Sequence, residues 1–200
     1  MQMLIWIYLL GSEIYWPIVR AFPAFFGTVA ELIKVDAQYA LAIETALGAG
    51  LQNIVVDSQS TAKKAIEFLT SRRLGRVTFL PIEVIKARYL PANIRSQLDQ
   101  EKDFIGIGAA LIRSEKKYSN IIENLLGTTL IAANLNAAFR ISKLLNQRYR
   151  VVTIDGHIVN AGGSITGGAN RHQSGLLSKR AELDQLNKQL DDLKKRGTEG

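Results

Sequence analysis

Two hundred residues with a 47% hydrophobic fraction suit one large cored domain or two small ones. The chain has no cysteine, which excludes disulfides and thiolate chemistry and agrees with a reducing cytoplasm. Its net charge of +7 and pI near 9.7 favour a polyanionic partner. With two histidines only, His157 and His172, a histidine metal site or catalytic triad is poorly supported, and a loop histidine is ordinarily just solvated.

Residues 1–25 do not fit the rest. The apolar run Leu4-Ile5-Trp6-Ile7-Tyr8-Leu9-Leu10 is far short of the roughly 20 residues needed to span a bilayer. It also lacks the basic flank of a signal peptide. This aromatic-rich stretch is either a short extension that packs on the domain or a disturbed reading of a longer gene.

The middle of the chain contains a duplication. Ile43-Glu44-x-x-Leu47-Gly48 recurs as Ile122-Glu123-x-x-Leu126-Gly127, 79 residues later. Each copy precedes a strand-like run, Asn53-Ile54-Val55-Val56-Asp57 and Thr129-Leu130-Ile131-Ala132-Ala133-Asn134. A helical pattern follows each run, on Ala62, Ala65, Ile66 and Leu69 and then on Ala137, Phe139, Ile141, Leu144 and Leu145. Ser58 and Asn134 are the expected N-caps, and Gly75 the expected stop of the first helix. Arginine-headed strands complete the units: Arg76-Val77-Thr78-Phe79-Leu80 and Arg150-Val151-Val152-Thr153-Ile154. Helix–strand–helix–strand occurring twice predicts a mixed α/β fold of two pseudo-repeated subdomains, about 26–90 and 104–170. Residues 83–103, with Pro91, read as their connection.

Charge is concentrated in residues 63–88. Lys63, Lys64, Arg72, Arg73, Arg76, Lys86 and Arg88 face only Glu67 and Glu83 there. Such a patch is either a solvated face or a surface for phosphate backbones.

Four glycines fall within seven residues in Gly162-Gly163-Ser164-Ile165-Thr166-Gly167-Gly168. Gly163 to Gly168 has the spacing of a P-loop, but Ala169 and Asn170 stand where Lys and Ser/Thr are required. The glycine order is also wrong for a dinucleotide fingerprint. A flexible loop, or a protein contact through close backbone approach, remains. A phosphate- or nucleotide-binding α/β enzyme using this segment is the alternative, with Asp155 as its best carboxylate. A plain nucleic-acid-binding domain would explain the charge but not the glycines.

The tail places Leu176, Leu183, Leu186, Leu190 and Leu193 at heptad a and d positions, with Lys179 at one d. On pattern alone it is a solvated amphipathic helix or the start of a coiled coil.

The segment Val159-Asn160-Ala161-Gly162-Gly163-Ser164-Ile165-Thr166-Gly167-Gly168 closely resembles the glycine signature of the hinge domain of bacterial-type SMC (structural maintenance of chromosomes) proteins. The resemblance runs over about 26–196. It includes Gly27-Thr28-Val29-Ala30-Glu31-Leu32-Ile33, Ala42-Ile43-Glu44-Thr45-Ala46-Leu47-Gly48, Gly75-Arg76-Val77-Thr78-Phe79-Leu80-Pro81 and Arg148-Tyr149-Arg150-Val151-Val152-Thr153. It implies a hinge over 26–170 and the start of a coiled-coil arm over 171–200. It also implies a ring-shaped homodimer in which the first subdomain of one chain meets the second of its partner. The expected interface is Gly162, Gly163, Ser164, Thr166, Gly167 and Gly168. Weak, sequence-independent DNA contact is expected through Lys63, Lys64, Arg72, Arg73, Arg76, Lys86 and Arg88, aided by Arg171, Lys179 and Arg180. The resemblance implies that the family's ATPase heads lie elsewhere in the full protein, where other subunits of the family's complex bind them. This chain is therefore expected to need no cofactor, to hydrolyse no ATP, and to sit in the cytoplasm on the nucleoid, away from membranes.

Overall fold

The sequence repeat is a repeat of strand pairing. A computed structural model describes residues 12–22, 24–168 and 175–197. The first half runs α1 (Ser12–Ala21), β1 (Phe25–Thr28), α2 (Val29–Leu32), β2 (Lys34–Val35), α3 (Ala37–Leu47), β3 (Ile54–Val56), α4 (Gln59–Ser71) and β4 (Phe79–Pro81). The second runs α5 (Ala92–Leu98), β5 (Phe104–Ile107), β6 (Ile112–Arg113), α6 (Ser119–Leu126), β7 (Leu130–Ala132), α7 (Leu135–Leu144) and β8 (Val151–Thr153). It then adds β9 (Ile158–Val159), β10 (Ile165–Thr166) and a long last helix, α8 (Leu176–Gly197).

In both halves a first strand runs antiparallel to a central one, which runs parallel to a third. Even the irregularity repeats. Phe25 faces Val56 and Gly27 faces Val55, as Phe104 faces Ala132 and Gly106 faces Ile131, each with a register shift between. Gly27 and Gly106 both take positive φ, 133° and 159°. The halves join where β2 pairs antiparallel with its own counterpart β6.

Strand pleating explains why β3 and β7 are apolar at every position. Val55 and Ile131 enter a central core shared by both halves, with Ile43, Leu80, Ile121 and Val152. Ile54 and Val56 face outward to Ala62 and Leu69 of α4 and to Ile18 of α1. Leu130 and Ala132 do the same toward Ala138, Ile141 and Leu145, and toward Leu98 of α5. Helix α1 thus stands in the first half where α5 stands in the second. Ile18 and Leu98 are both fully buried.

Ser58 and Asn134 cap as expected, accepting from the Thr61 and Ala137 amides at 3.2 and 2.9 Å. The stop of α4 differs from expectation. The helix ends at Ser71 with Arg72 as its C-cap, and Arg73 takes the left-handed turn at φ 54°, two residues before Gly75. The Leu74 amide reaches back to the Leu69 carbonyl at 2.9 Å, the six-to-one bond of a Schellman ending. That bond holds an arginine where glycine would cost less. Helix α7 ends alike, with Asn146 at φ 52° and Gln147 bonded back to Ser142.

The paired motif glycines do different work. Gly48 takes φ 50°, with nothing near its missing Cβ. Gly127 has ordinary helical φ, −67°, but a Cβ there would overlap the Arg88 carbonyl of the connection. Gly127→Ala is therefore expected to push residues 86–90 off α6. Overpacking of this kind costs about 1–3 kcal/mol, or roughly 2–10 °C in Tm for a chain of this size. Thermal denaturation checks it, with Gly50→Ala as the near-neutral control, since its Cβ would meet only Asn53 Nδ2 at 3.8 Å.

Candidate functional site

The glycine segment folds as a hairpin. Strand β9 returns antiparallel along β8, and β10 returns along β9, giving a sheet ordered β10-β9-β8-β7-β5. Among the described residues the first half shows three strands, β1-β3-β4, and no counterpart of β9 and β10. Among the described residues, β4 and β10 therefore each have a neighbour on one side only.

The hairpin turn explains two of the glycines. Gly162 and Gly163 take φ of 87° and 93°. The Gly162 amide donates to the Gln147 carbonyl at 2.8 Å, and that of Gly163 to Asn160 at 3.0 Å. Gly163 and Gly168 are separated by strand β10, so their P-loop spacing does not form a phosphate loop. Residues 161–168 are all exposed. Nothing lies within 4 Å of a Cβ built on Gly162 or Gly168. The six residues predicted as an interface are thus one open ribbon at the sheet edge.

The pleat decides which groups point outward. Asn160 donates to the Ser164 carbonyl at 2.8 Å, and Ile165 and Thr166 lie opposite Val159 and Ile158. Antiparallel pairs alternate between bonded and non-bonded. With Asn160 and Ser164 as a bonded pair, the N–H and C=O of Ile165 face away from β9. The Ile165 side chain is 57% exposed as well. Ile165 is the functional candidate that the glycine pattern concealed; its signal was an isoleucine amid small polar residues.

Gly167 serves a different need. A Cβ there would lie 2.9 Å from His157 Nδ1. His157 Nε2 is 3.3 Å from an Asp155 carboxylate oxygen, and the His157 amide donates to the fully buried Thr153 hydroxyl at 2.9 Å. That hydroxyl in turn donates to Asp155. His157, expected to be merely solvated, instead backs the hairpin, and Asp155 serves a turn.

The basic residues divide by element. Lys63 and Lys64 are exposed on α4, and Arg72, Arg73 and Arg76 are exposed just past its end. Lys63 shares a 3.9 Å ion pair with Glu67, and the Arg72 guanidinium lies 4.6 Å over the Phe68 ring. Lys86 and Arg88 are exposed on the connection, whose backbone is held by α6 through Asn124 and Glu123. Lys179 is exposed on α8, whereas Arg180 donates to the Ala30 carbonyl at 3.1 Å. Arg171 lies outside the described residues.

Glu31, beside Arg180, is a strongly perturbed acid. Burial pushes its pKa from 4.5 to about 7, partly offset by the Thr28 amide and the Arg180 charge. The Thr28 amide donates to its carboxylate at 3.3 Å. A carboxyl raised in the folded state binds a proton there that the unfolded chain releases. Stability from this group therefore falls as pH rises from 4.5 toward 7. Glu31→Gln keeps an acceptor for Thr28 and is expected to flatten Tm between pH 5 and 8 and raise it at pH 8. Thermal melts across that range check it; an unchanged slope would show that Glu31 does not titrate there.

Among the described residues no group of three or more metal-ligating acids or histidines exists, and no helix is long and apolar enough to cross a membrane.

Residues 22–142 match the family described as the SMC proteins Flexible Hinge Domain. The Chromosome partition protein Smc of Bacillus subtilis is 40% identical over 171 residues, 85% of this chain but 14% of that protein. The asymmetric dimer of the Geobacillus stearothermophilus SMC hinge domain is similar at TM-score 0.82 and 40% identity, over 90% of this chain and 74% of that one. The Pyrococcus furiosus SMC hinge domain gives 0.63 and 33%, over 80% and 86%. The repeated halves, the glycine hairpin and the match over 22–142 lead to one conclusion: this chain belongs to the SMC hinge family.

Proposed function

We propose that this chain is a homodimerisation hinge of a chromosome partition protein, with weak sequence-independent affinity for DNA and no ATP hydrolysis of its own. One observation carries the self-association: two sheet edges, β4 and β10, stand open in a chain whose second half shows how such an edge is filled. In that half β9 lies antiparallel against β8. Among the described residues no strand takes the equivalent place beside β4 in the first half, and β10 of a second copy supplies one. Twofold symmetry then makes the contact twice and closes a ring. The name of the Bacillus relative supports the chromosomal role, and the Geobacillus hinge is described as a dimer. Cytoplasmic placement on the nucleoid follows from that role. Sedimentation equilibrium tests the reading: a mass of twice 22.1 kDa is expected, and a monomer at tens of micromolar would overturn it.

A further inference from the structure

We propose that Glu44 and Arg180 form a latch that sets the direction in which α8 leaves the domain. The bearing of this outgoing helix is thus fixed by the first half of the chain, not by the second half, which it follows.

A helix begins with amide groups that lack partners, usually met by a Ser, Thr, Asp or Asn side chain at the cap. Gly175 occupies that place before α8 and has no side chain to offer. Glu44 replaces it from 132 residues away, its Oε1 accepting the Leu176 amide at 2.9 Å. A negative carboxylate there also meets the positive end of the helix dipole. The fit requires glycine, because a Cβ on Gly175 would overlap the Glu44 carboxylate. One turn on, Arg180 donates to the Ala30 carbonyl at 3.1 Å. Between them Leu177 is buried in the central core, with Ala181 packed against that core. Beyond this grip the leucines turn to solvent, Leu186 and Leu193 being 60% and 65% exposed. The grip therefore covers the first turns of α8 and determines the bearing of the rest.

The repeat supplies independent support. Glu44 on α3 corresponds to Glu123 on α6. The chain leaving β4 passes over α6, where the Arg88 amide meets the Glu123 carbonyl at 3.4 Å and Asn124 Nδ2 donates to the Lys86 carbonyl at 2.8 Å. The segment leaving each half is thus held by the same helix of the other half. In the first case it becomes the connection; in the second it becomes α8.

The absence of cysteine makes the test clean. Gln97→Cys on α5 and Gln189→Cys on α8, both exposed, carry nitroxide labels in full-length chain diluted with unlabelled protein. Pulsed electron resonance then reads the distance between them. The parent is expected to give a single narrow distribution. Glu44→Ala and Arg180→Ala are each expected to broaden it and add longer distances. Glu44→Gln, which keeps an acceptor oxygen, stays close to the parent. Unchanged narrow distributions in both alanine variants would overturn the latch. If Glu44→Ala does not fold, Arg180→Ala decides alone, because the Arg180 side chain is only part-buried and its clamp lies outside the apolar core. Sedimentation of the same samples separates the latch from self-association: the latch variants are expected to retain the parent mass, and a monomeric parent would leave the distance result intact.

Discussion

Ile165→Pro is expected to turn a twofold assembly of this chain into monomers while the fold survives. Proline removes the one backbone donor of β10 that points away from β9, and it is tolerated on an edge strand for the same reason. The register shows that the Ile165 amide makes no bond to β9, so the hairpin keeps its own pairing. In the assembly that amide would lose an acceptor on β4 of the second copy. A buried hydrogen-bond partner left unmet costs about 1–3 kcal/mol. Symmetry repeats the loss at a second edge, so the dimer Kd rises by roughly two to four orders of magnitude. Thr166→Pro is the contrasting variant. Its amide faces β9, and its loss is expected to disturb the hairpin itself. Sedimentation with circular dichroism reads both. A dimeric, folded Ile165→Pro would show that β10 is not the contact.

Reversal of Lys63, Lys64, Arg72 and Arg73 to Glu is expected to abolish DNA binding at moderate salt. All four are exposed on one helix and its end, and no element with a base-reading motif accompanies them. Phosphate contact is then the economical assignment. Each neutralised phosphate releases counterions, giving a log–log salt slope of about −0.9 per contact on duplex DNA. If all four touch phosphates, the parent slope is steeper than about −3.6, and affinity collapses between low and physiological salt. Pairing two copies strengthens the effect, since two patches held rigidly act as one bivalent surface. Fluorescence anisotropy of a labelled duplex at several salt concentrations reads the slope and the loss together. Binding that ignores salt, or that survives the fourfold reversal, would make this patch a solvated face. Lys179 is exposed on α8, whereas Arg180 is engaged with α2.

Local chemistry made much of this protein legible from sequence alone. The Ile-Glu-x-x-Leu-Gly motif announced the duplication because both copies start the same helix-to-strand passage. Ser58 and Asn134 announced the two outer helices because a capping oxygen acts on an amide three residues away. The leucine spacing announced α8, whereas the glycine cluster left a flexible loop and a protein contact equally open. These signals are short-range, and the residue types suffice to read them. Tertiary structure decided the rest. Gly48 and Gly127 occupy equivalent motif positions, yet one relieves backbone strain and the other admits the Arg88 carbonyl. Gly167 belongs to His157, and Arg180 to the carbonyls of α2, through contacts that no spacing encodes. The outward-facing amide of Ile165 comes from strand register, which alternates residue by residue and is set only once β9 has paired. Glu44 caps a helix 132 residues distant. A pattern along the chain reports what neighbours in sequence do to each other. Which halves exchange their exits, and which sheet edges stay open, follows only when burial of the shared core brings them together.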